Sequence, residues 1–167
     1  MLPVRPVRLP AALKGQKNGE LPDELLHPIR PNGRLYVTAA TSWTWMKKAA
    51  RLEAGHILKP TSAFDAYRPL TVQTAVFRQR YTTERIPGQP TRVWNGVTYW
   101  LKPGNAPLAT PGTSNHGWAL AVDVANATQC LEWLLDRAPG FGWSWEVQSE
   151  PWHIRYVLGD ELPKVAA

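Results

Sequence analysis

Residues 114–124 read SNHGWALAVDV. The run is β-rich and apolar, yet a histidine and an aspartate stand near its two ends. Read as a strand, its side chains alternate between faces with a period of two. Leu120, Val122 and Val124 then share a face suited to a core. Ala119, Ala121 and Asp123 share the other, where two small residues leave an open floor beside a carboxylate. His116 lies seven residues before Asp123, an odd spacing that puts it on the wrong face of a regular strand. Gly117 supplies the expected bend, because glycine permits a bulge there. A backbone running straight through Gly117 would keep His116 and Asp123 apart.

A second strand-like stretch, SEPWHIRYV, covers 149–157. Trp152, Ile154 and Tyr156 would share one face, and His153, Arg155 and Val157 the other. Pro151 lacks an N–H and suits a strand entrance, so Glu150 falls just outside the strand. Two histidines and a carboxylate can form a three-ligand zinc site with an open fourth position. Such a metal lowers the pKa of its water towards ~7, and a carboxylate that is not a ligand then serves as general base. Glu150 is the candidate base. Arg68, in DAYRP, is the candidate stabiliser of an oxyanion. Taken singly, each has a plainer reading: a structural histidine, a turn aspartate, a solvated loop acid, a surface arginine.

The rest of the chain supplies a frame. Its 167 residues, 44% hydrophobic and 19% charged, suit one globular domain. No apolar run is long enough to span a membrane. Cys130, the one cysteine, excludes an intrachain disulfide and reads as a buried small hydrophobe. The net charge of +6 and pI near 9.7 favour anionic partners. The basic residues are scattered, which speaks against a nucleic-acid-binding domain. Nine tryptophans exceed the needs of one small core, so some are expected to line a groove.

Residues 1–34 read as an irregular arm draped over a domain covering 35–167. A helix is expected through WTWMKKAARLEAG, capped by Ser42 and ending near Gly55, and another through VQTAVFRQRY, capped by Thr71. Residues 82–113 form a long excursion containing TRVWNGVTYWL, whose Asn95-Gly96 pair favours a type I′ hairpin. An excursion of that size is often a substrate-contacting or gating element. ATQCLEWLLDRA reads as an amphipathic helix with Asn126 at its N-cap. Helices first, then mostly antiparallel strands, make the fold class α+β.

The order SNHGWALAVDV, then EPWH, with Tyr67-Arg68 and Gln73 upstream, resembles the M15 group of zinc D-Ala-D-Ala carboxypeptidases and related phage endolysins. The match spans roughly 62–157. The resemblance implies a compact single domain with a small antiparallel sheet flanked by helices, similar to the Hedgehog signalling domain. It implies one Zn²⁺ per chain held by His116, Asp123 and His153, with Glu150 and Arg68 catalytic. Ser114, Gln73 and Trp152 are expected at the substrate, with a structural role as the alternative for Ser114 and Gln73. The implied reaction is hydrolysis of a peptidoglycan stem peptide, at D-Ala-D-Ala or at an L-Ala-D-Glu-type bond, by water activated at Glu150. The implied setting is a monomeric phage lytic enzyme, made without a signal peptide and acting on the wall. The alternative is a non-catalytic zinc-binding or wall-binding module of the same fold. Many members carry Gly where this chain has Ala119.

Overall fold

The computed structural model describes residues 1–164. Leu26–Pro28 (β1) pairs antiparallel with Arg34–Tyr36 (β2), and helix α1, Val37–Ala54, follows directly. Helix α2, Leu70–Arg80, runs into β3, Tyr81–Thr82. The hairpin of β4, Thr91–Trp94, and β5, Val97–Leu101, completes a three-stranded antiparallel sheet in the order β3-β5-β4. Then come β6, Ala121–Asp123, helix α3, Ala127–Arg137, β7, Trp143–Trp145, and β8, His153–Tyr156. β8 is central in a second antiparallel sheet, ordered β6-β8-β7. The α+β expectation holds.

The main core lies between α1, α3 and the second sheet. Trp43 and Met46 of α1 meet Val122, Trp143, Trp145, Ile154 and Tyr156, all without solvent exposure. Trp43 and Trp143 contact edge-to-face with centroids 5.6 Å apart, a favourable arrangement for two ring quadrupoles. A smaller cluster of Phe77, Tyr81 and Leu101 sits beneath the hairpin, joined by Trp94 and Tyr99. It fastens the excursion to α2. The hairpin turns through Asn95 (φ 50°) and Gly96 (φ 75°), as the Asn-Gly pair predicts.

Two expected caps are corrected. Ser42 lies inside α1, which starts at Val37. Its buried hydroxyl donates to the Phe141 carbonyl at 2.5 Å and accepts from Trp143 Nε1 at 3.0 Å. Thr71 likewise lies within α2, behind Pro69 at the N-cap. Gly55 ends α1 in the left-handed conformation, φ 68°. Asn126 occupies the N-cap of α3, but its side-chain amide points to Cys130 Sγ.

The N-terminal segment is part of the fold. Leu13, Leu21, Leu26 and Ile29 enter the main core. The Arg8 amide donates to the Val157 carbonyl at 3.1 Å, and Val4 bridges to Trp145. The β1–β2 pairing crosses the expected boundary at residue 34.

Candidate metal centre

The second sheet places two of the expected ligands by register. Asp123 of β6 stands directly opposite His153 of β8. Facing residues of an antiparallel pair hold their Cβ atoms about 5 Å apart, close enough for one ion to touch both side chains. His153 Nδ1 lies 2.8 Å from Asp123 Oδ1. On the other side of β8, Trp145 pairs with Ile154, so the next residue, Glu146, falls opposite His153. Glu146 Oε2 is 2.8 Å from His153 Nε2.

His116 arrives differently from the expected bent strand. Residues Asn115–Trp118 form a 3₁₀ turn, and β6 starts only at Ala121. The turn in the backbone is made by Ala119, at φ 56° and ψ 31°. Gly117 instead permits close approach: a Cβ there would collide with the Asn18 amide. The outcome for His116 is the one the spacing demanded, since its Nε2 lies 3.3 Å from Asp123 Oδ2. The open floor is corrected too. Ala119 belongs to the core, and Ala121 stands opposite Arg155, whose guanidinium reaches Glu146 Oε1 at 2.5 Å. The long strand expected at 149–157 shortens to His153–Tyr156, with Pro151 and Trp152 in a turn.

Donor atoms of His116, Asp123 and His153 all lie within 4.8 Å of one another. Their hydrogen bonds assign which atoms face the centre. His116 Nδ1 is 2.9 Å from the Ala66 carbonyl, which can only accept, so Nδ1 carries the proton and Nε2 is the free donor atom. His153 has a carboxylate at each nitrogen, Asp123 Oδ1 at Nδ1 and Glu146 Oε2 at Nε2; with Asp123 turned to a shared metal, Glu146 would keep the Nε2 proton and Nδ1 would be the ligating atom. Each histidine thus has the outer partner that metal-ligating imidazoles require. Two imidazole nitrogens and one carboxylate oxygen, with room for a further ligand from the cleft, fit Zn²⁺.

The electrostatics follow from the crowding. Burial raises the Asp123 pKa, but hydrogen bonds and charge from His116 and His153 outweigh it and hold the carboxylate well below its usual range. Burial pulls His153 down, yet Asp123 and Glu146 on its two sides push it up to about 9. Burial likewise opposes ionisation of Glu146, while His153 and Arg155 bring its pKa below the ordinary value. Both nitrogens of His153 thus face carboxylates.

The centre opens into a cleft of about 720 Å³. Glu150, Arg68, Ser114 and Trp152 all line it. Glu150 sits in the turn before β8, and its carboxylate makes no hydrogen bond among the described residues. Arg68 is held by the Asp65 carboxylate at 2.9 Å and the Phe64 carbonyl at 3.0 Å, leaving Nη1 towards other partners. Its backbone amide donates to the His116 carbonyl at 3.1 Å, tying it to the turn that carries His116. Trp152 is 44% exposed, an indole face available to a ligand. Of the nine tryptophans, it alone lines the cleft among the described residues; Trp43, Trp143 and Trp145 are core.

Gln73 is different. It is buried, and its amide donates to Asn18 Oδ1 and the Arg68 carbonyl while accepting from the Gly112 amide. Its bonds knit the N-terminal segment, α2 and the 112–117 loop together. Sequence reasoning missed Glu146, Asn18 and Asp65. The signal for Glu146 was the β7–β8 register, which no single strand pattern contains.

A family model described as VanY, D-alanyl-D-alanine carboxypeptidase, matches residues 32–159. The chain belongs to that family. Membership bears out the expectation of an M15-type peptidase, and the donor set agrees with the expected zinc. No curated protein matches the chain. Among solved structures, VanYB in complex with D-alanine-D-alanine is 22% identical with a TM-score of 0.54, covering 79% of this chain and 76% of that one. A mutant of the vancomycin-resistance D,D-pentapeptidase VanY from a VanB-type cassette, in complex with Zn(II), is 22% identical with a TM-score of 0.56, covering 94% and 86%. Both share the fold of this VanY-family chain.

Proposed function

We propose that this VanY-family chain is a zinc-dependent carboxypeptidase that removes the terminal residue of peptidoglycan stem peptides ending in D-Ala-D-Ala. The observation that carries the reading is the convergence of His116 Nε2, Asp123 and His153 Nδ1 in one cleft with the Glu150 carboxylate, which has no partner among the described residues. When bound, zinc acidifies a water and polarises the scissile carbonyl. Glu150 takes the proton of the attacking water on its carboxylate and returns it to the departing amine. Arg68, already oriented by Asp65 and Phe64, presents its guanidinium to the oxygen that gains charge. Trp152 offers a flat apolar wall against which a peptide can lie. The solved relatives' D-alanine-D-alanine and Zn(II) agree with this substrate and metal. A non-catalytic binding module has no use for such an acid at the mouth of the metal site.

The test is mass spectrometry of products from stem peptides, run on zinc-loaded wild type and Glu150→Gln. Loss of one D-Ala by the wild type is expected, with a drop of roughly 10²–10⁴-fold in the variant at unchanged zinc content. A variant as fast as wild type would place the base elsewhere.

A further inference from the structure

Beyond the metal centre, two further cations line the same cleft. Arg80 closes α2, and Arg92 lies on β4 of the excursion. They converge on one short strip of chain. Arg80 Nη1 donates to the Ala106 carbonyl at 3.2 Å, and Arg92 Nε donates to the Leu108 carbonyl at 3.1 Å. Arg92 Nη1 also donates to the Thr91 carbonyl at 3.1 Å. Neither forms an ion pair with a carboxylate among the described residues, whereas Arg68, in the same cleft, is paired with Asp65. A guanidinium carries five N–H donors in a fork, so several remain for a ligand. Two half-buried guanidiniums that no carboxylate of the described residues pairs with suit a ligand carboxylate.

The helix sets its distance from the reaction. Val72, Val76 and Arg80 all face the cleft, one row of α2 at i, i+4 and i+8. At 1.5 Å per residue the row is about 12 Å long. It starts beside the His116 turn, where the Arg68 amide bonds the His116 carbonyl. An extended peptide covers about 12 Å in three to four residues. A carboxypeptidase's terminal carboxylate lies within one residue of the scissile bond, which is too near. We propose that Arg80 and Arg92 form a distal subsite for a carboxylate carried by the substrate three to four residues before the scissile bond. Specificity would then come from an acidic residue of the stem as well as from its end. This rests on the carboxypeptidase reading for its direction along the cleft.

The experiment uses zinc-loaded protein and three synthetic peptides ending in D-Ala-D-Ala. One has Glu three places before the scissile bond, one has Gln there, and one has Glu with an amidated C-terminus. Binding is read by calorimetry and cleavage by mass spectrometry. Wild type is expected to favour the Glu over the Gln peptide by about tenfold or more, since hydrogen bonds to charged groups contribute on that scale. The preference shrinks with added salt. Arg80→Gln with Arg92→Gln abolishes it, and Arg80→Gln alone, which gives up one exposed bond, reduces it at unchanged melting temperature. Equal binding of Glu and Gln peptides by wild type overturns the subsite. So does a double variant that loses its preference for a free C-terminus while still favouring Glu. Absence of cleavage with the Glu preference in binding intact overturns the carboxypeptidase reading and supports the subsite.

Discussion

Glu146 Oε2 accepts the Nε2 proton of His153 at 2.8 Å, while Arg155 holds the other Glu146 oxygen at 2.5 Å. Asn115 Nδ2 adds a third bond to the same carboxylate at 2.7 Å. The ring of His153 is therefore fixed from behind, with Nδ1 turned to Asp123. Glu146→Gln keeps the shape but turns an amide N–H towards one of these donors. Zinc affinity should fall about 10–100-fold, the usual cost of losing an outer partner of a ligating histidine. Chelator competition measures this without reference to activity, and unchanged affinity would mean the ring is held by other contacts.

Metal-free protein should lose stability as pH rises from 6.5 to about 9. His153 has its pKa raised from 6.5 to about 9 by Asp123 and Glu146. A group raised on folding stabilises the native state fully below its unfolded pKa, and that contribution disappears as pH climbs through the folded value. Zinc reverses the sign, because the metal competes with the Nδ1 proton and binds more tightly as pH rises. Thermal melts with chelator and with excess zinc across pH 6–9 should therefore diverge. Parallel curves would show that His153 is neutral without metal.

That His116, Asp123 and His153 come together was legible in the sequence through side-chain chemistry and the resemblance to the M15 motif. The backbone route to them was not. Alternation marked Val122 and Val124 as core, and both are buried. It could not distinguish a bend at Gly117 from one at Ala119, because glycine serves both for positive φ and for close approach. Glu146 escaped because its role depends on which residue faces it across β8. The N-terminal segment escaped as core because Leu13, Leu21, Leu26 and Ile29 are too widely spaced to form a periodic pattern. Their burial comes from tertiary wrapping alone.

Ala119 makes an unusual trade. A left-handed alanine costs roughly 1–2 kcal/mol of backbone strain. Glycine would relieve it, but would give up a buried methyl, about 0.8 kcal/mol, and gain unfolded-state entropy worth roughly 0.4–1 kcal/mol. Ala119→Gly should be neutral to within about 1 kcal/mol in denaturant unfolding. Ala119→Val, β-branched at positive φ in a fully buried position, should cost about 2 kcal/mol or more and lower zinc content with it. A well-tolerated valine would show that the loop can move without releasing His116.

Gly117 and Asn18 should behave as a coupled pair. The Asn18 amide donates to the Ser114 carbonyl at 2.7 Å and lies where a Cβ on Gly117 would go. Gly117→Ala should therefore push apart the 114–117 turn and the N-terminal segment, at about 1–3 kcal/mol. Because His116 rides on that turn, zinc affinity should drop with stability. Asn18→Gly alone should also cost about 1–3 kcal/mol, since Gln73 Nε2 and the Ser114 carbonyl lose a buried partner. The double variant should be more stable than the sum of the two, because removing the Asn18 side chain clears the collision. Recovery should be partial, as Gln73 Nε2 would still lie 2.7 Å from the new methyl. A denaturant double-mutant cycle reads the coupling directly. Strict additivity would mean that the N-terminal segment and the His116 turn are energetically independent, despite the bonds between them.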